Sequence, residues 1–260
     1  MGPREFPLES DEDLTILSGI LRLATKYGAK HMRDNALQVL RRKFPSSLSD
    51  WDSLAENARF RWTCDPIPVI NLVREVSAFS PMPAAMAFLT NNSSAGEVFA
   101  VQVHEGTGQR SSLHKLRASE DIKGFALMKE YDHASVVKMI NFIREVGSNC
   151  KQPPEPESRP NGMSPVGTLR HEFRASICSG IFHEVADNLA LKFMMREDPM
   201  GYRDFGMMVL QDVMSQRRPI CRRCRVSFKT GYVEHRDSWW NGIPHILGLP
   251  DLRGWGEDHT

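Results

Sequence analysis

The stretch Asp13 to Pro45 reads DLTILSGILRLATKYGAKHMRDNALQVLRRKFP, and its spacing decides the fold class. Leu14, Leu17, Leu21 and Ala24 recur at steps of three and four, the period of an α-helix. Ile16, Ile20, Leu23 and Tyr27 fill the adjacent face, so the helix is apolar over a wide arc and is expected to be largely buried. The acidic run before it suits the positive end of a helix dipole, and Gly28 supplies a stop. A second helix follows, with Met32, Ala36, Val39 and Leu40 on one side and arginines on the rest, until Pro45 ends it. Residues 13–44 therefore read as a helical hairpin.

The same logic extends along the chain. Ser46 to Asp52 offers several helix caps. Pro66 and Pro68 suit the start of a helix whose apolar face is Val69, Ile70, Leu72, Val73 and Val76. Pro81 is expected to break it, and a short helix from Ala84 to Leu89 follows. Glu97 to His104 is one candidate strand. Leu113 to Val146 reads as two helices meeting near Tyr131-Asp132-His133, the second carrying Val136, Met139, Ile140, Ile143 and Val146. The prolines of residues 151–164 cannot hold a regular ladder and mark a linker. A long helix from about Pro165 to Arg196 carries the stripe Phe173, Ile177, Ile181 and Val185, and another runs from about Tyr202 to Gln216. The expected fold is mainly α: a multi-helix bundle with long loops and at most one or two short strands. Its expected divisions are a polar arm (1–13), a helical region (14–150), the linker (151–164) and a second helical region (165–260).

Composition narrows the function classes. The 260 residues carry 33 Lys+Arg against 32 Asp+Glu, so the formal charge of +1 argues against nucleic acid or a membrane surface as a whole-chain partner. No apolar run approaches the ~18 residues of a membrane span. The opening MGPREFPLES lacks the apolar core of a secretory signal, and five cysteines are too few for a disulfide framework in a chain this long. The expected location is intracellular, in cytoplasm or nucleus.

Cys221-x-x-Cys224 is the one spacing with metal-ligand character, because two thiolates two residues apart can hold one zinc from a tight turn. A structural zinc needs four ligands. The remaining two would be His235 or His245, or Cys150 or Cys178 arriving from far along the chain. The competing reading is a free dithiol with a packing role and no cofactor. Arg217, Arg218, Arg222, Arg223 and Arg225 form a basic cluster, either a solvated face or a contact for nucleic acid or an import receptor. Cys178 lies between His171 and His183, but helical steps of seven and five bring neither ring onto the thiol, so it reads as a core cysteine. Met194-Met195 and Met207-Met208 read as core filler. No phosphate-loop, dinucleotide, zinc-protease or nucleophile-elbow motif is present, and no enzyme is expected.

Trp239, Trp240 and Trp255 crowd the tail around Ile243-Pro244 and Leu249-Pro250. They are either a lid docked on the helical body or an exposed protein-interaction patch, since tryptophan is enriched at interface hot spots.

Three stretches in order resemble a group of fungal BTB/POZ-domain proteins. The first is Leu17 to Pro45, continuing through LSDWD; the second is VINLVREVSAFSPMPAAM (69–86). The third is CRRC (221–224) followed by HRDSWWNGIPHILGLPDLRGW (235–255), in which Trp240, Asn241, Pro244, Gly248, Leu249, Pro250 and Trp255 keep the family order. Leu247 stands where the family has an aromatic, and Trp255 lies farther from the proline than usual. The resemblance implies a non-catalytic protein-protein interaction protein formed by the helical extension of a BTB domain. Only about thirteen residues precede the first helix, so the BTB core, about 100 residues of strands and helices, is expected to be missing or truncated. Homodimerisation is implied only where that core is present. The alternative is a zinc-stabilised helical domain with a basic contact patch.

Overall fold

The computed structural model describes residues 8, 10–56, 65–95, 98, 115–150, 167–195, 209, 211, 213, 220–249, 252, 255 and 256. Eight helices are bounded among them: α1 (Asp11–Lys26), α2 (Lys30–Lys43), α3 (Leu48–Glu56), α4 (Pro66–Glu75), α5 (Met82–Asn92), α6 (Ser119–Ser148), α7 (Gly167–Met194) and α8 (Arg222–Ile246). No strand occurs among the described residues, and the mainly α expectation holds. Of the candidate strand only Val98 is described, and it is helical.

The chain forms two compact units, Met1–Tyr131 with Trp239–Thr260, and Asp132–Ser238. The sequence-based division at 151–164 lies outside the described residues. The two compact units divide within α6 and α8.

In the first unit, α1 begins with a capping box. Ser10 Oγ accepts from the Asp13 amide at 3.2 Å, and the Asp13 carboxylate accepts from the Ser10 amide at 3.0 Å. Leu14, Leu17, Leu21 and Ala24 are buried as their period requires. The helix closes in a Schellman motif: Ala29 N–H donates to Ala24 O at 2.8 Å and Gly28 N–H to Thr25 O at 3.4 Å, with Gly28 at φ +65°. The second apolar stripe departs from expectation. Ile16 is 54 % exposed, Leu23 57 % and Tyr27 72 %. Helix α1 buries one face only, and α2 turns Ala36, Leu37 and Leu40 inward while Met32 is exposed.

Asp65 caps α4 by accepting from the Ile67 amide at 2.9 Å, with Pro66 in the first turn. All five apolar residues expected on its face are buried. The helix ends at Glu75, before Pro81; just beyond its C-cap Val76, Ser77 sits at φ 51° while Ala78 N–H donates to Val73 O at 2.8 Å. The break is thus a left-handed cap and owes nothing to the proline. Helix α5 is buried at every residue from Met82 to Thr90, as a helix apolar all round should be. Asp121, 1 % exposed, is held by Arg74 Nε at 2.8 Å.

The tail tryptophans belong to this unit. Trp239 and Trp240 are each 1 % exposed. Trp240 packs on Trp51 at 5.2 Å between ring centroids and stacks on Trp255 at 4.7 Å. Its Nε1–H donates to Ser46 O at 2.9 Å. Of the two readings of Trp239, Trp240 and Trp255, the exposed interaction patch is corrected and the tail docked on the helical body agrees with the structure: two are interior and Trp255 is half-buried against them. Indoles this large release most water when they stack on one another.

In the second unit, Val136, Met139, Ile140 and Ile143 of α6, Phe182, Val185 and Leu189 of α7, and Phe228 and Tyr232 of α8 are buried. Helix α6 is one unbroken helix, not two, since Tyr131-Asp132-His133 contains no glycine or proline to stop it. The α7 stripe is Cys178, Phe182, Val185 and Leu189; Ile177 and Ile181 are only half-buried, and the side chain of Phe173 lies outside the described residues. The expected stripe was rotated around the helix. Met194 and Met195 are 73 % and 77 % exposed, so they are not core filler. Residues 209, 211 and 213 are helical, with Val209 and Val213 buried; the rest of the helix expected over 202–216, with Met207-Met208, lies outside the described residues.

Candidate metal centre

Four cysteines meet in the second unit. Cys150 follows the end of α6, Cys178 lies within α7, Cys221 immediately precedes α8, and Cys224 occupies its first turn. Their sulfur atoms all lie within 4.8 Å of one another. Cys150 Sγ and Cys221 Sγ are 3.8 Å apart. A tetrahedral zinc with Zn–S bonds of about 2.3 Å spaces its sulfurs by roughly 3.8 Å, the separation of Cys150 and Cys221.

Local structure explains the convergence. Gly147 lets α6 pass close to α7: a Cβ there would stand 2.7 Å from Phe182 Cβ and 3.4 Å from the Ser179 backbone. That approach sets Cys150, three residues on, beside Cys178. Cys221 acts as a sulfur cap on α8, its Sγ accepting from the Cys224 amide at 3.4 Å. The Cys221 amide donates to Cys178 Sγ at 3.3 Å.

The electrostatics favour a cation among these sulfurs. Burial pushes the Cys178 thiol up to about 11, although the Cys221 amide pulls the other way. Burial also raises Cys224, and the neighbouring thiols Cys150 and Cys221 raise it further. At Cys221 burial acts upward as well, but the hydrogen bond from the Cys224 amide and those from the surrounding thiols outweigh it and lower the pKa. One thiolate is thus favoured at the helix N-terminus, and a divalent ion is what would allow the other three to ionise beside it. Four sulfur ligands select zinc or another thiophilic metal over calcium or magnesium.

The structure brings together some of the candidate ligands and not others. Cys221 and Cys224 are joined by Cys150 and Cys178. His235 is not in the cluster; it packs on the Phe142 ring at 4.8 Å, and burial lowers its pKa. His245 belongs to the other unit. Cys64 lies outside the described residues. His183 Nδ1 is 2.8 Å from Ser179 O, so its ring is engaged with the turn before it and not with Cys178. Arg222 and Arg223 are exposed and Arg225 is half-buried, while Arg217 and Arg218 lie outside the described residues. Cys150 and Cys178 carried no spacing signal, because single cysteines 28 and more residues apart announce nothing until helices pack.

Compared with known proteins, the chain matches no family model, no curated protein and no solved structure. No helix among the described residues is long and apolar enough to cross a membrane.

Proposed function

We propose that this chain is a non-catalytic helical protein whose second unit is stapled by one zinc ion on Cys150, Cys178, Cys221 and Cys224. The observation that carries this reading is the approach of all four sulfurs to within 4.8 Å. Two further features support it. Helix α8 begins with Arg222 and Arg223 and has no acidic residue in its first turn, the reverse of what a helix dipole favours. A zinc bound by four thiolates carries a net charge of −2 and would compensate those cations. The arginines then serve the centre and need no nucleic-acid partner. Cys178 is 2 % exposed, which suits a ligand and not a nucleophile that must meet substrate. Elemental analysis of the purified chain tests the reading. About one zinc per chain is expected, and less than about 0.2 would overturn it, because a closed four-ligand site holds its metal through purification.

A second reading, protein-protein interaction of the BTB/POZ-extension type, is favoured by one observation. Ile16, Leu23 and Tyr27 lie along one exposed face of α1. Scattered exposed apolar residues need no explanation, but a stripe at helical spacing matches the way helices dock partners. Replacement Leu23→Asp leaves the buried stripe intact and should abolish capture of a specific partner. Unchanged capture would remove this face from consideration.

A further inference from the structure

The four sulfurs differ in how they meet solvent. Cys178 and Cys224 are 2 % and 3 % exposed, whereas Cys150 and Cys221 are both half-buried at the rim of the cluster. These two rim sulfurs are 3.8 Å apart, and they come from segments 71 residues apart in the chain. A small oxidant arriving from solvent meets them first and meets them together.

We propose that Cys150 and Cys221 form a peroxide-sensitive disulfide pair whose closure ejects the zinc. The inference rests on the zinc reading for what is ejected, and on the rim geometry for which pair closes. The oxidant is hydrogen peroxide. One rim thiolate attacks a peroxide oxygen; the S–O bond forms, the O–O bond breaks and hydroxide leaves. The second thiolate attacks that sulfenic sulfur; the S–S bond forms, the S–O bond breaks and a second hydroxide leaves. The two hydroxides take up two protons from solvent, so the peroxide becomes two waters, and the sulfurs give up two electrons. Of the four sulfur ligands Cys178 and Cys224 remain, and two ligands do not hold a structural zinc. A dithiol reductant reverses the step and restores the four-sulfur set.

The test uses the full-length chain as purified and the same chain stripped of metal under reductant. Each is treated with hydrogen peroxide. Released zinc is read with a chelating dye, and disulfides are mapped by mass spectrometry after free thiols are blocked in denaturant. The expected result is a Cys150–Cys221 crosslink in both samples. In the loaded sample about one zinc is released per crosslink, and dithiothreitol reverses the change. The variant Cys150→Ser should lose the crosslink. A loaded chain that crosslinks mainly through Cys178 or Cys224, or that releases zinc with no crosslink, overturns the pair and leaves the zinc centre standing. A chain that binds no zinc at all overturns the centre and, with it, the ejection step; the stripped sample then shows separately whether the rim pair closes.

Discussion

The indole of Trp255 donates its Nε1–H to the backbone carbonyl of Trp240 at 3.0 Å. Within α8 that carbonyl would ordinarily accept from the residue four positions on, and that residue is Pro244, which has no N–H. The tail returns a donor to a carbonyl that the helix cannot serve, while its ring stacks on Trp240. Replacing Trp255 by Phe keeps an aromatic in the stack and removes the donor. The expected loss is about 1–2 kcal/mol, the cost of leaving a buried carbonyl without a partner. In a Pro244→Ala background the helix regains its own donor, so the same replacement should cost less. Denaturant titration followed by circular dichroism measures the coupling, and additive effects would exclude this role for Trp255.

Gly28 isolates a backbone effect. Nothing lies within 4 Å of a Cβ built there, yet φ is +65°. Gly28→Ala should therefore destabilise by about 1 kcal/mol through the left-handed conformation alone. Gly19, which also has open space but sits inside α1 at no positive φ, provides the contrast: Gly19→Ala should stabilise by up to ~1 kcal/mol. Equal effects of the two replacements would exclude the explanation.

The Arg74–Asp121 pair predicts an asymmetry. Asp121 is 1 % exposed, and Arg74 reaches it with Nε at 2.8 Å. Arg74→Met strands a carboxylate in the interior and should cost about 3 kcal/mol. Arg74→Met with Asp121→Leu should recover most of that loss, because an apolar pair carries no desolvation penalty. Thermal unfolding of the single and double variants checks this. A double variant no better than the single would show that the pair contributes more than its charges.

Zinc removal should act on the second unit first. Where free zinc exceeds its dissociation constant about a thousandfold, binding to the folded state stabilises by roughly 4 kcal/mol. A strong chelator should lower the melting temperature and open residues 132–238 to protease before the first unit. Acid should do the same, since protons compete for thiolates and metal affinity falls as pH falls. Cys224→Ser should already behave like the chelated protein. Proteolysis that begins equally in both units would argue against a staple confined to the second.

The elements readable from local sequence share one property: their signals are complete within a dozen residues. The α1–α2 hairpin, the Asp65-Pro66 start of α4 and the Cys221-x-x-Cys224 turn all carry their period or cap in place. Misreadings arose where two local options were equally good. Ile16 and Leu23 are as apolar as Leu17 and Leu21, so periodicity could not say which stripe of α1 would find a partner. Tyr131-Asp132-His133 suggested a joint, but it contains no glycine or proline, and the helix runs through it.

Periodicity, caps and breakers were enough to establish a helical chain and half of a candidate metal site, because those features depend on hydrogen bonds within a turn or two. The other half needed α6, α7 and α8 to pack, with Gly147 permitting the close approach that brings Cys150 and Cys178 to Cys221 and Cys224. The same holds for the tryptophans. Their clustering was visible in the chain, but whether they faced water or one another was decided by Ser46, Trp51 and Pro244, which lie up to 194 residues away from the indoles they satisfy or require. Tertiary packing alone chooses between such faces, since burial is a property of neighbours and not of the residue buried.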